Sequence, residues 1–167
     1  FIDGLSDGIF RGMDNSVGAD DGIVIKDESG DLIQGNTLQN FYDCPIENAG
    51  KMFDTKIIGN RASNAGVCFL GGWYYSSVKG ILVKDNVVSD TPNLFYFFRS
   101  YGLKPSEQLV YFQNNTFEGN KLSNPKLGSS FSFASSFAFD GSSVPLQNFV
   151  LGNNVLRNND FTKLLGP

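Results

Sequence analysis

Histidine is absent from the 167 residues of this chain, and that absence narrows the chemistry it can carry. No Ser–His–Asp triad, Cys–His pair or His-based zinc site can be built. Neither a Walker A phosphate loop nor a dinucleotide-binding glycine fingerprint occurs. Carboxylates, Lys, Arg and Tyr remain as acids, bases and charge stabilisers. Their sharpest arrangement is the segment GADDGIVIK (18–26), in which adjacent Asp20 and Asp21 precede an apolar run. Asp-Asp-Gly is also an ordinary way to turn a corner into a strand. The residues alone favour the turn and leave acid–base chemistry at Asp20 and Asp21 as the alternative.

A second group could bind rather than react. The stretches GGWYYSS (71–77), RSYGLKPSEQ (99–108) and SSFSFASSFAFDGSS (129–143) bring Trp73, Tyr74, Tyr75, Arg99, Tyr101, Lys104 and Asp140 into loop-like sequence. A sugar ring stacks its C–H face on Trp or Tyr, while Arg and Lys meet acidic groups. The competing reading packs these aromatics under their own loops and pairs Arg99 with an acid such as Glu107. Within the third stretch, Phe131, Phe133, Phe137 and Phe139 alternate with small residues, which fits a strand. The run has no basic residue, so it lacks the cationic face of a membrane-docking segment. Asn114-Asn115-Thr116 is a glycosylation acceptor if the source secretes through a eukaryotic pathway. Ser123-x-x-Lys126 has the spacing of a Ser–Lys pair, but it lies in a Pro-containing loop and carries little weight.

These groups must be positioned by a repeat. The phrases DLIQGNTLQN (31–40), TKIIGNRASN (55–64), ILVKDNVVSD (81–90), VYFQNNTFEGN (110–120) and FVLGNNVLRNN (149–159) each hold an apolar run, a Gly, Asp or Asn, then an Asn. Aligned on that Asn, they place Asn36, Asn60, Asn86, Asn115 and Asn154 in one column, at intervals of 24, 26, 29 and 39 residues. Ile33, Ile57, Val83, Phe112 and Leu151 stand three positions earlier; Leu38, Ala62, Val88, Phe117 and Leu156 stand two later. Self-similarity at such a period marks units that bury their apolar faces only by stacking. The runs are β-branched or aromatic and too short for helices, so each copy reads as strand, tight turn, strand. A third strand follows at Pro45–Ala49, Val67–Leu70 and Leu94–Phe98. Asn tolerates the left-handed corner, and its amide can bond its counterpart in the next unit.

This pattern of strands and Asn turns resembles the right-handed parallel β-helix repeat of the pectin-lyase-like superfamily, over roughly residues 8–161. The resemblance implies an all-β, single-stranded solenoid of about six coils with an Asn ladder, in one domain over 1–167. It also implies a polysaccharide lyase, hydrolase or epimerase, or a non-catalytic adhesive or structural solenoid that binds a protein partner. An antiparallel sandwich with Asn-rich turns is the competing architecture. GADDGIVIK is similar to the polygalacturonase segment in which two adjacent Asp residues act, one as general acid and its neighbour in activating water. Those roles would fall on Asp20 and Asp21. The Gly-His-Gly motif of that family and its Arg-Ile-Lys are absent.

The remaining signals bound the setting. Lys plus Arg is 13 against 17 acids, for a net charge of −4. That balance argues against nucleic acid. No apolar run reaches a membrane span. The chain begins at Phe1 and shows no capping helix, so it is expected to be a segment of a larger extracellular or cell-surface protein, continued or capped by a neighbouring domain or partner. No cofactor is expected; calcium among the turn acids stays open, without an EF-hand or RTX spacing. Cys44 and Cys68 each lie eight residues beyond an aligned Asn and should stack in adjacent units. They are either thiols filling the core or a bridge between units. Parallel Cβ vectors near 5 Å apart favour the thiols.

Overall fold

A computed structural model describes residues 2–3, 21–72, 77–98, 110–123, 131–134 and 149–161. The described residues are all-β. After β1 (Ile2–Asp3), the chain runs through five repeats of four short strands. The first comprises β2 (Ile23–Ile25), β3 (Glu28–Ser29), β4 (Leu32–Gln34) and β5 (Thr37–Phe41); the second β6 (Ile46–Asn48), β7 (Lys51–Phe53), β8 (Lys56–Ile58) and β9 (Arg61–Ala65). The third holds β10 (Cys68–Gly72), β11 (Ser77–Lys79), β12 (Leu82–Lys84) and β13 (Val87–Ser89). The fourth holds β14 (Asn93–Phe98), β15 (Val110–Gln113), β16 (Thr116–Glu118) and β17 (Lys121–Ser123). The fifth is β18 (Phe131–Ala134), β19 (Phe149–Gly152), β20 (Val155–Arg157) and β21 (Asp160–Phe161).

Each strand pairs with the strand four places on, always in parallel, which builds four sheets. Sheet I is β2, β6, β10, β14 and β18; sheet II is β3, β7, β11, β15 and β19; sheet III is β4, β8, β12, β16 and β20. Sheet IV is β5, β9, β13, β17 and β21, with β1 on its edge beside β5. An antiparallel sandwich is therefore overturned. Each repeat has four strands rather than the three read from sequence; in the first three repeats the additional one is the sheet II strand, which precedes the aligned run, whereas in the fourth and fifth the aligned run is itself the sheet II strand.

Local chemistry explains the corners. In the second repeat the strands of sheets II, III and IV begin at Lys51, Lys56 and Arg61, so one side takes five residues. The fourth of the five turns left-handed. Between sheets III and IV that residue is Gly35, Gly59, Asp85, Gly119 or Asn158; between sheets II and III it is Gly30, Asp54, Gly80, Asn114 or Asn153. Gly, Asn and Asp are the residues that accept this backbone at low strain. The second residue of each side points inward. Ile33, Ile57, Val83 and Phe117 form one buried column, and Leu38, Ala62, Val88 and Leu122 another. Phe95, Phe112 and Phe117 meet around the core of the fourth repeat, with ring centroids 5.1 Å apart for the first two. Full burial of such side chains, at about 1.5–3 kcal/mol each, offsets the entropy of ordering many short strands.

The Asn column exists, with a different membership. Asn36, Asn60 and Asn86 continue into Asn120 and Asn159, not Asn115 and Asn154. Each donates its Nδ2 to the next Oδ1, at 3.0, 3.0, 2.9 and 2.9 Å. The backbone N–H of the same residues donates to the same oxygens. Asn115 and Asn154 form a second, shorter column at the corner between sheets II and III, below Ile81. Phe117 and Leu156 accordingly belong to the column that precedes the Asn.

The cysteines also depart from expectation. Cys44 and Cys68 stack in adjacent repeats as anticipated, but they form a disulfide, with Cα atoms 5.1 Å apart. Both are fully buried. Their Cα separation lies in the range a bridge accepts, and they sit at the entries to sheet I strands rather than in the middle of a flat ladder.

Candidate functional site

Of the candidate residues, Asp21 is placed. Asp20, Trp73, Tyr74, Tyr75, Arg99, Tyr101, Lys104 and Asp140 lie outside the described residues, as do Phe137 and Phe139. Phe131 and Phe133 fall in β18, where they pair in register with Phe95 and Phe97. That places them in the strand expected from their alternation.

Asp21-Gly22 enters sheet I. Ile23 N–H donates to the Pro45 carbonyl at 2.9 Å, and Gly22 N–H reaches the Cys44 carbonyl at 3.4 Å. A Cβ on Gly22 would meet the Pro45 carbonyl oxygen at 2.7 Å and the Phe41 ring at 2.8 Å. Gly is thus required here by close approach, which gives the Asp-Asp-Gly step a packing reason of its own. Asp21 Oδ1 faces the Cys44 N–H at 3.4 Å.

Sequence reasoning missed what surrounds Asp21. The carboxylates of Asp21, Asp43 and Glu47 offer oxygens that all lie within 4.8 Å of one another. Glu47 is buried at 8% exposure, in register between Val24 and Gly71 in sheet I. Asp43 precedes Cys44, so the disulfide to Cys68 fixes the backbone that carries it. Oxygen ligands in such a set suit a hard cation such as calcium. An inverting glycosidase holds its carboxyls about 6.5–9.5 Å apart to admit a water. Paired with Asp43 or Glu47, Asp21 is too close for that geometry. The signal in sequence was faint: Asp43 and Glu47 lie one repeat beyond Asp21, and only the stacking register brings them together.

The connections define a second region. Sheet I passes to sheet II through residues 26–27, 49–50, 73–76, 99–109 and 135–148 in successive repeats. The first two are tight. The last three are insertions, all between the same pair of sheets, and they carry Trp73 through Tyr75, Arg99, Tyr101, Lys104 and Asp140.

Outside these regions the strand faces of sheets II, III and IV carry Lys51, Lys79, Lys56, Lys84, Arg61 and Lys121. An ion pair across sheet III joins Arg157 to Glu118 at 3.0 Å. Asn114, the first residue of the Asn-Asn-Thr sequence, is an exposed left-handed corner residue.

No protein-family model, curated protein or solved structure matches the chain. The functional reading therefore rests on the residues and their placement.

Proposed function

We propose that this chain is an extracellular or cell-surface module that interacts with polysaccharide, carried on a single-stranded, right-handed parallel β-helix in which each four-strand repeat is one coil of a single domain spanning 1–167. The observation that carries the reading is the shared position of the three insertions. The segments 73–76, 99–109 and 135–148 each join sheet I to sheet II in consecutive repeats, so all three are anchored at the same corner of the scaffold. Loops on one face of a rigid repeat are where such scaffolds place binding groups. Trp73, Tyr74, Tyr75 and Tyr101 would stack on sugar rings, and Arg99 and Lys104 would meet acidic substituents.

The disulfide supports the location, since such bridges persist in oxidising compartments and are rare in reducing ones. Asp21, Asp43 and Glu47 would hold calcium, and Asp20 with Asp21 would supply carboxylates if the module also cleaves or modifies the glycan it binds. The alternative is a structural or adhesive solenoid segment that meets a protein partner.

The test is retention of the purified chain on neutral and acidic polysaccharides, with and without calcium. Selective retention supports the module, and calcium-dependent retention assigns the carboxylates to the metal. Absence of retention on every glycan favours the structural alternative.

A further inference from the structure

We propose that Asn114 is the acceptor of an N-linked glycan, added in an oxidising secretory compartment and held at the corner between sheets II and III. The proposal rests on the extracellular reading of the chain and is independent of whether the insertions bind polysaccharide.

Of the 17 asparagines in the chain, Asn114 alone is followed two positions on by Ser or Thr without an intervening Pro. Such a motif recurs by chance, so its placement decides its meaning. Asn60, Asn86, Asn115 and Asn120 are fully buried, and their amides hold the repeats in register. Asn115, the middle residue of the motif, donates its Nδ2 to the Val78 carbonyl at 3.2 Å, and its Oδ1 accepts from the Ile81 N–H at 3.2 Å. A sugar on that nitrogen would have to enter the core.

Asn114 is the opposite case. Its backbone is left-handed, with φ of 56°, and its N–H donates to the Gly152 carbonyl at 3.0 Å. Its exposed side-chain amide makes no hydrogen bond among the described residues. Two repeats earlier at the same corner, Asp54 lays its carboxylate over Gly80, where a Cβ would collide with it. The residue that follows Asn114 in this column is Asn153 rather than a Gly, so the Asn114 side chain finds no such seat. On its other flank Gly80 has no side chain to crowd it.

Thr116 completes the motif. It opens β16 on the side opposite the buried Phe117. Its hydroxyl has no hydrogen-bond partner among the described residues, whereas those of Thr55 and Thr91 donate to the Phe53 and Ser89 carbonyls. The Cys44–Cys68 bridge is an independent sign of the setting, because disulfides persist in the oxidising compartments through which secreted chains pass.

The co-reactants are an oligosaccharide linked to a lipid pyrophosphate and the transferase that uses it. Asn114 Nδ2 forms a bond to C1 of the first sugar as the bond from C1 to the pyrophosphate oxygen breaks. The lipid pyrophosphate leaves with that electron pair, and one Nδ2 proton passes to a base of the transferase. The product is a neutral amide with one N–H. In the fourth repeat the glycan stands one sheet away from the corner between sheets I and II where the insertions are anchored. A bulky, solvated group there covers the flanking faces of sheets II and III and leaves the insertion corner open.

The test secretes the full chain from a eukaryotic cell and compares its intact mass before and after a glycosidase that hydrolyses the sugar–asparagine bond. Wild type should carry one N-glycan, in the peptide that contains Asn114, with Cys44 and Cys68 bridged. Asn114→Gln and Thr116→Ala should each abolish it, the second with the acceptor amide untouched. Asn153 has the same corner and a φ of 55° but Val155 two positions on. Val155 is 42% exposed and pairs in register with Thr116. Val155→Thr in the Asn114→Gln chain should therefore restore one glycan, one repeat further along, and its failure to do so would contradict the corner geometry as the determinant. A secreted, bridged wild type without a glycan, or a glycan that survives both Asn114→Gln and Thr116→Ala, overturns the assignment and leaves the extracellular reading standing. A chain retained in the cell with free thiols contradicts both.

Discussion

Asn86 donates its Nδ2 to the Oδ1 of Asn120 at 2.9 Å, across 34 residues of sequence and one step between repeats. Both side chains are fully buried. The same Nδ2 donates to the Ile57 carbonyl, and the Asn86 Oδ1 accepts from the N–H and Nδ2 of Asn60. Every polar atom of this amide is engaged, so the polar column through the core imposes a register as well as a stability.

Asn86→Ala strips the acceptor from Asn60 and the donor from both Ile57 and Asn120. It should destabilise the chain by about 2–4 kcal/mol. Asn36→Ala, at the half-buried start of the column, should lose about 1 kcal/mol or less. Denaturant unfolding of the two variants checks the difference, and equal losses would show that the column is not acting as a connected network.

The disulfide closes 24 residues between adjacent repeats. A non-reducing mass should lie about 2 Da below the fully reduced chain, corresponding to two lost hydrogen atoms. Replacing both Cys44 and Cys68 with Ser should lower stability by about 3 kcal/mol on a loop-closure basis. Because Asp43 neighbours Cys44, the same variant should weaken any calcium-dependent increase in melting temperature. An unchanged calcium response would detach the carboxylate group from the bridge.

Left-handed corners differ in how much room they leave. Gly59 has φ of +62° with open space where a Cβ would stand, whereas a Cβ on Gly119, at φ of +65°, would collide with the Asp85 carboxylate. Gly59→Asn should be nearly neutral, since Asp85 and Asn158 occupy the same corner in other repeats. Gly119→Ala should cost about 1–2 kcal/mol or more from strain and collision. Thermal melts of the two would separate them.

The Arg157 guanidinium hydrogen-bonds the Glu118 carboxyl and, with Lys84 nearby, holds it below the ordinary value of 4.5. A carboxyl depressed in the folded state adds stability above its unfolded value and loses it as pH falls through the folded one. Glu118→Gln should therefore flatten a small part of the acid limb of the stability profile below about pH 4.5. Arg157 is 58% exposed, so the effect should shrink further in salt. Melting temperatures from about pH 3 to 6 check the sign.

Much of the architecture was legible because five-residue sides leave a mark: an inward apolar residue, then a Gly, Asp or Asn, then a corner residue. The same regularity caused the register error. In the first three repeats the corner between sheets II and III carries Asp31, Thr55 and Ile81, so one Asn stands out per repeat. In the fourth and fifth, Asn115 and Asn120, and Asn154 and Asn159, stand one side apart with similar residues before each. Sequence similarity could not choose between corners five residues apart; hydrogen-bond partners could. The sheet II strands of the first three repeats were missed because strands such as Lys51–Phe53 and Ser77–Lys79 are three residues long and directly continue into the next side. The carboxylates around Asp21 were illegible for a different reason. Their meeting depends on the lateral register of β2 against β6, a relation with no local signature.

The proposed glycan surface lies in the insertions between sheets I and II. The decisive comparison is retention on whichever polysaccharide holds the wild type, for Trp73→Ala and Arg99→Ala against Lys121→Ala on sheet IV. Retention should fall about tenfold or more in the first two and stay unchanged in the third, with all three chains equally stable. Retention that survives both insertion variants, or falls equally in Lys121→Ala, would place the glycan elsewhere and overturn the assignment.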